Sequence, residues 1–167
     1  EVGSAGIAAA LSRGEPYELF WILDDIGDAE ALVAKNGSGI NSVADLKGKK
    51  IAMPFNSTTH FHTMVALEQA KVNPADVQIL NMRPPEVRAA WQRGDIQATF
   101  IWDPVLAEVK KDGKVILTSG KISADTGKAT FDGYIVNKDW AKANKDFMVK
   151  FTKDLAASDA KYRANAA

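Results

Sequence analysis

Apolar positions along the chain keep two spacings. Phe61, Met64 and Val65, with Leu67 beside them, recur at the three-to-four-residue interval of a helix, whereas Ile51-Ala52-Met53 is an unbroken apolar run of strand length. Pro54-Phe55-Asn56-Ser57-Thr58-Thr59-His60 joins the two, and Ser57 or Thr58 is the natural N-cap. The first helical turn carries unpaired N–H groups and the positive end of the helix dipole, so this junction suits an anion. Capping alone accounts for the same hydroxyls equally well.

The same spacings divide the rest of the chain. Ala5 to Ser12 reads as a small-residue helix stopped by Gly14, and Tyr17 to Leu23 as a strand whose unbroken apolar end predicts burial on both faces. After the acidic turn Asp24-Asp25-Ile26-Gly27-Asp28, Glu30 to Lys35 is a strand. Asn36-Gly37-Ser38-Gly39 is then a break suited to a crossing between lobes, and Ser42 to Gly48 is one helical turn. Val77 to Asn81 is a strand, Pro85 to Arg93 a helix closed by Gly94, and Ala98 to Trp102 a strand. Asp103-Pro104 opens a helix to Lys111, Val115 to Leu117 is a short strand, and 119–128 a polar loop. Phe131 to Val136 is the last strand, with helices starting at Asp139 and Asp146. This alternation predicts an α/β fold with largely parallel strands, whose ligands gather at the carboxyl ends of strands. Ser57-Thr58-Thr59, Trp102-Asp103 and the turn from Val2 to Ala5 hold such positions.

A length of 167 residues fits about one domain, with 46% hydrophobic and 25% charged content in the ordinary globular range. Lys plus Arg equals Asp plus Glu at 21 each, so no basic excess speaks for nucleic acid or an anionic membrane. The absence of cysteine excludes disulfides, thiolate zinc sites and cysteine nucleophiles. No apolar run approaches the roughly 18 residues of a membrane helix. Dinucleotide, nucleotide and hydrolase motifs are missing, and no catalytic residue or cofactor is assigned. His60 and His62, the only histidines, point about 200° apart on a helix, which is poor geometry for one metal. Trp102 fits a core residue or a pocket wall. Glu30 and Asp132 lie in otherwise apolar strands, where a carboxylate is costly without a partner; an edge salt bridge and a ligand contact both meet that need.

The segment from Ser42 to Ala52 resembles the entry into the second lobe of type II periplasmic solute-binding proteins. Pro54 to His60, Pro84-Pro85, Ala89-Ala90-Trp91-Gln92-Arg93-Gly94-Asp95-Ile96 and Thr130-Phe131-Asp132 resemble the taurine-binding components of bacterial ABC importers. That likeness covers essentially the whole chain, with Gly133-Tyr134 and Asp103 departing from it. It implies two α/β lobes around a ligand cleft, with 1–44 part of the first lobe, 45–128 the second, and 129–167 returning to the first. It further implies a non-enzymatic protein, periplasmic or lipid-anchored outside the cytoplasmic membrane, that hands a taurine-like sulfonate to a permease. Ser57, Thr58 and Thr59 would then face the sulfonate, Glu30 and Asp132 the ammonium, and Trp102 the pocket. Carriers of alkanesulfonate or nitrate are the alternatives, as is a thiamine-pyrimidine-synthase-like enzyme of the same fold. The chain opens on Glu1-Val2-Gly3-Ser4-Ala5-Gly6, which reads as a strand end running into a turn, so a larger protein with an incomplete first lobe is expected here.

Overall fold

The computed structural model describes residues 2–165. In chain order the elements are β1 (Val2–Gly3), α1 (Ser4–Ser12), β2 (Tyr17–Asp25), β3 (Glu30–Lys35), β4 (Lys50–Met53), α2 (Thr58–Gln69), β5 (Gln78–Asn81) and α3 (Pro84–Arg93). They continue as β6 (Ala98–Trp102), α4 (Val105–Val109), β7 (Gly113–Thr118), α5 (Ser119–Thr126), β8 (Phe131–Asn137), α6 (Lys138–Ala143) and α7 (Lys145–Asn165). Local chemistry sets the helix ends. Ser57 caps α2 by accepting the His60 N–H at 3.2 Å, and Glu86 reaches back to the Arg83 N–H at 2.7 Å to open α3. Gly94 stops α3 at φ 81°, a conformation that glycine adopts without steric cost.

Two sheets form, a five-stranded one in the order β5-β4-β6-β3-β7 and a three-stranded one in the order β1-β8-β2. The larger sheet is covered on both faces, and side-chain alternation along its strands divides the core in two. Leu32, Ile51, Met53 and Phe100 pack on one side with Leu67 of α2 and Ile122 of α5. Ala31, Val33, Ala52 and Ile101 pack on the other with Val87 and Trp91 of α3 and Leu106 of α4. The smaller sheet is covered less. Phe20 and Tyr134 stack at 6.2 Å and meet Phe151 of α7, but Ile22 is 57% exposed, so β2 is not buried on both faces as its apolar run predicts.

Strand direction departs from expectation as well. Among the described residues only β4 with β5 and β4 with β6 run parallel, while β3 runs antiparallel to both β6 and β7, and β8 antiparallel to β1 and β2. The cause is the path of β3. It enters the larger sheet directly from the smaller one and so runs against its neighbours, instead of being delivered by a crossover helix. The division expected after residue 44 therefore falls elsewhere. The chain leaves the smaller sheet after Asp25 and enters the larger at Glu30, and Asn36 to Gly39 lies within the latter unit. It returns between Gly127 and Phe131. The polar stretch after Ser119 is helical where a loop is expected, because Thr118 caps it by accepting the Lys121 N–H at 3.1 Å and Gly127 closes it at φ 70°. The helix after Asp103-Pro104 ends at Val109, short of Lys111.

Candidate functional site

Between the sheets lies a cleft of about 580 Å³. Each wall comes from a strand end or a helix start. The turn at Gly3 and Gly6 forms one side, and Asn56, Ser57 and Thr58 at the start of α2 face it. Trp102 ends β6 and Asp103 follows it, while Asp24, Ile26, Ala29, Glu30 and Asp132 stand in or beside the two crossings. The crossings run side by side, which brings residues more than a hundred apart in sequence to one rim. Asp24 pairs directly with Asp132 across β2 and β8.

The candidate residues from the sequence part ways here. Ser57, Thr58, Glu30, Trp102 and Asp132 line the cleft, and Thr59 does not. Successive helical residues are turned by about 100°, so Thr59 points into the protein with no exposure and its hydroxyl lies 2.8 Å from Ser57 Oγ. Ser57 donates to the Pro54 carbonyl and accepts from His60 N–H, and Thr58 donates to Glu30 Oε1. Three hydroxyls converging on one accessible point is therefore corrected to two lining hydroxyls, both engaged within the protein. The N–H groups of Thr58 and Thr59, in the first turn of α2, remain the donors that helix geometry aims outward. The start of α1 adds a second set, since Gly3 caps it without any side-chain acceptor. A Cβ on Gly3 would sit 2.9 Å from Thr58 Cγ2, so the two helix starts approach as closely as glycine permits.

Trp102 is half-buried against the core on one side and lines the cleft on the other, so both readings of it hold. Glu30 is 5% exposed. Burial pushes its carboxyl above the ordinary range; hydrogen bonds from Thr58 and Ser119 pull it back, and the neighbouring Asp132 and Asp24 raise it further. Four carboxylates line the cleft, Asp24, Glu30, Asp103 and Asp132, and no lysine, arginine or histidine among the described residues does. The carboxylates attract a cation, and the two helix starts beside them suit an anion.

His60 stacks on Phe55 at 4.4 Å and accepts from the Asn56 N–H, whereas His62 turns inward and is fully buried. His62 Nδ1 lies 2.8 Å from Ser119 Oγ and its Nε2 2.9 Å from the Lys128 carbonyl oxygen, while Ser119 Oγ lies 3.0 Å from Glu30 Oε2. Sequence reading missed this connection because it took the Ser119 segment for a loop. The cap-like Thr118 ahead of Ser119 and Gly127 beyond it were the available signals. From sequence, Asp24 reads only as part of an acidic turn.

A family model described as NMT1/THI5 like matches residues 7–164. The chain is 38% identical to the taurine-binding periplasmic protein of Escherichia coli (strain K12), over 98% of this chain and 50% of that protein. It is 32% identical to a putative aliphatic sulfonates-binding protein of the same strain, over 81% of this chain and 42% of that one. Among solved structures, the periplasmic aliphatic sulphonate binding protein SsuA from Escherichia coli superposes with a TM-score of 0.74 at 28% identity, covering 94% of this chain and 50% of that chain. SsuA from Xanthomonas axonopodis pv. citri bound to MOPS gives 0.81 at 22% identity, over 98% and 56%, a likeness of fold alone. The chain thus spans about half the length of the curated relatives it matches and has the α/β architecture of the type II periplasmic binding fold. By the match over nearly its whole length, it belongs to the NMT1/THI5-like family.

Proposed function

We propose that this protein is the substrate-binding component of an ABC importer, taking up taurine or a similar small aminosulfonate outside the cytoplasmic membrane and delivering it to a membrane permease. It carries out no chemistry on its ligand. The observation that carries this reading is the pairing, in one cleft, of two helix starts with four carboxylates. A sulfonate has three oxygens to satisfy, and first-turn N–H groups of α1 and α2 offer donors without a counter-charge. The carboxylates would repel that sulfonate unless the same ligand carried a cation a few ångströms away, as taurine does. The similarity to the Escherichia coli taurine-binding protein supports the same choice.

Calorimetry of the protein with taurine, ethanesulfonate and nitrate tests it. Taurine should bind most tightly; equal affinity for ethanesulfonate would replace this reading with a general sulfonate carrier. That second reading has its own support in the similarity to aliphatic sulfonate-binding proteins. This chain supplies no cysteine to the cysteine-rich iron site that the thiamine-pyrimidine-synthase-like reading would require.

A further inference from the structure

Glu30 is the outer end of a buried chain of polar groups that continues through Ser119 and His62 to the Lys128 carbonyl. Ser119 and His62 have no exposure, so bulk water does not share their hydrogen bonds. The proton count of this chain is informative. A serine hydroxyl has one proton, a neutral imidazole has one N–H, and a carbonyl only accepts. The contact with Lys128 therefore requires a proton on Nε2. With Glu30 ionised and His62 neutral, Ser119 would have to donate to Glu30 Oε2 and to His62 Nδ1 at the same time. The other tautomer sets the Nε2 lone pair against the Lys128 oxygen. Both arrangements leave two buried acceptors facing each other, which is costly.

One further proton closes the chain in two ways. Either the Glu30 carboxyl donates to Ser119 and Ser119 donates to Nδ1, or Nδ1–H donates to Ser119 and Ser119 donates to the Glu30 carboxylate. His62 Nε2–H stays on Lys128 in both.

We propose that Glu30, Ser119 and His62 hold one shared proton, carried by Glu30 in the ligand-free protein and passed to His62 when a ligand cation settles against Glu30. This rests on the reading of the cleft as an aminosulfonate site. The transfer is balanced: the Glu30 proton goes to Ser119 Oγ as the Ser119 proton goes to His62 Nδ1, and none enters or leaves the protein. Ser119 and His62 are then positioning residues that set the charge Glu30 presents to the ligand. Without ligand the neutral arrangement prevails, because burial disfavours a charge at either end and Asp132 and Asp24 face Glu30. A ligand ammonium reverses this by adding a positive charge beside Glu30.

The test combines nitrogen-15 NMR of the histidine rings and carbon-13 NMR of the glutamate carboxyls at neutral pH with calorimetry of taurine binding in buffers of different ionisation enthalpy. Expected are a protonated Glu30 and a neutral His62 before ligand, then a doubly protonated His62 with taurine bound and no proton exchanged with buffer. Ethanesulfonate should leave His62 neutral. In His62→Gln and in Ser119→Ala the proton has nowhere to go within the chain, so taurine binding should release about one proton per ligand to the buffer. An ionised Glu30 with a neutral His62 before ligand overturns the proposal, as does a His62 that stays neutral with taurine bound. Absence of taurine binding sinks the reading of the cleft and the cation-driven transfer with it, while the ligand-free spectra still decide whether the proton is shared.

Discussion

The backbone N–H of Ile26 donates to the carbonyl oxygen of Thr130 at 3.2 Å, tying together the two segments by which the chain passes between its sheets. Ile26 follows the end of β2 and Thr130 precedes β8, so this bond fixes the outgoing crossing against the returning one. Asp24, Glu30 and Asp132 all stand within a few residues of it. The acidic rim of the cleft is thus a consequence of the crossing geometry, and its charge is presented where the two sheets meet.

Removing one carboxylate from that rim should weaken the cleft's demand for a cation. Charge-assisted hydrogen bonds contribute about 1.5–3 kcal/mol each, and about 1.4 kcal/mol is tenfold in affinity. Asp132→Asn should therefore lose roughly tenfold or more in taurine affinity while ethanesulfonate affinity holds or rises. Titration calorimetry of the two ligands on both proteins measures the ratio. An unchanged ratio would remove Asp132 from ammonium recognition.

Ser57 both caps α2 and lines the cleft, and these roles separate by measurement. Ser57→Ala removes the acceptor of the His60 N–H, and loss of such a cap costs about 1 kcal/mol of stability. Denaturant unfolding should show that loss with or without ligand. Since the Ser57 proton is already given to Pro54, sulfonate affinity should fall by less than tenfold. A loss of a hundredfold or more would mean that the hydroxyl turns to the ligand.

Much of this site was legible because helix and strand boundaries carry local signals. Ser57 as a cap, Pro84-Pro85 opening α3 and Gly94 behind it act on their immediate neighbours, so their positions follow from sequence. Glu30 and Asp132 stood out as carboxylates in apolar runs. Strand direction and sheet membership were not legible, because β3 has the same apolar run whichever sheet receives it; only its register with β6 and β7 decides. The inward turn of Thr59 likewise depends on which face of α2 packs on the sheet. The link from Glu30 to His62 joins residues 32 apart through a third, Ser119, and no local pattern encodes it.

Gly3 tests the closeness of the two helix starts. A side chain there would meet Thr58 Cγ2 at 2.9 Å and Asp132 Oδ1 at 3.4 Å, both of which belong to the cleft wall. Gly3→Val should push the start of α1 away from α2 and reduce taurine affinity by at least roughly tenfold, since anion donors from both helices would no longer converge. The larger sheet, whose core is built without Gly3, should keep its unfolding transition. Calorimetry and thermal unfolding on the same sample separate the two effects, and undiminished taurine binding would show that the start of α1 takes no part.

Glu30 offers a case in which stability and binding should move in opposite directions. Burial raises its pKa above the ordinary 4.5, against the pull of Thr58 and Ser119. The folded state then binds this proton more tightly than the unfolded state, so Glu30 weakens stability progressively as pH rises from about 4.5 through the raised value. Glu30→Gln removes the titration yet keeps the shape. Its amide oxygen accepts from Thr58 and its NH₂ group donates to Ser119, as a protonated glutamate would. His62, whose pKa burial lowers, stays in both proteins, and its own loss falls below its ordinary 6.5, where the unfolded chain takes up the proton first. The melting temperature of Glu30→Gln should therefore rise relative to the unaltered protein as pH is increased from about 5 to about 8, with the gap smallest at the acid end. Taurine affinity should fall at neutral pH, by at least roughly tenfold, because the ammonium loses a carboxylate. Thermal unfolding across that range, with and without taurine, measures both. Parallel melting curves would mean that Glu30 is ionised at no cost in the folded protein, and an undiminished taurine affinity would remove it from the site.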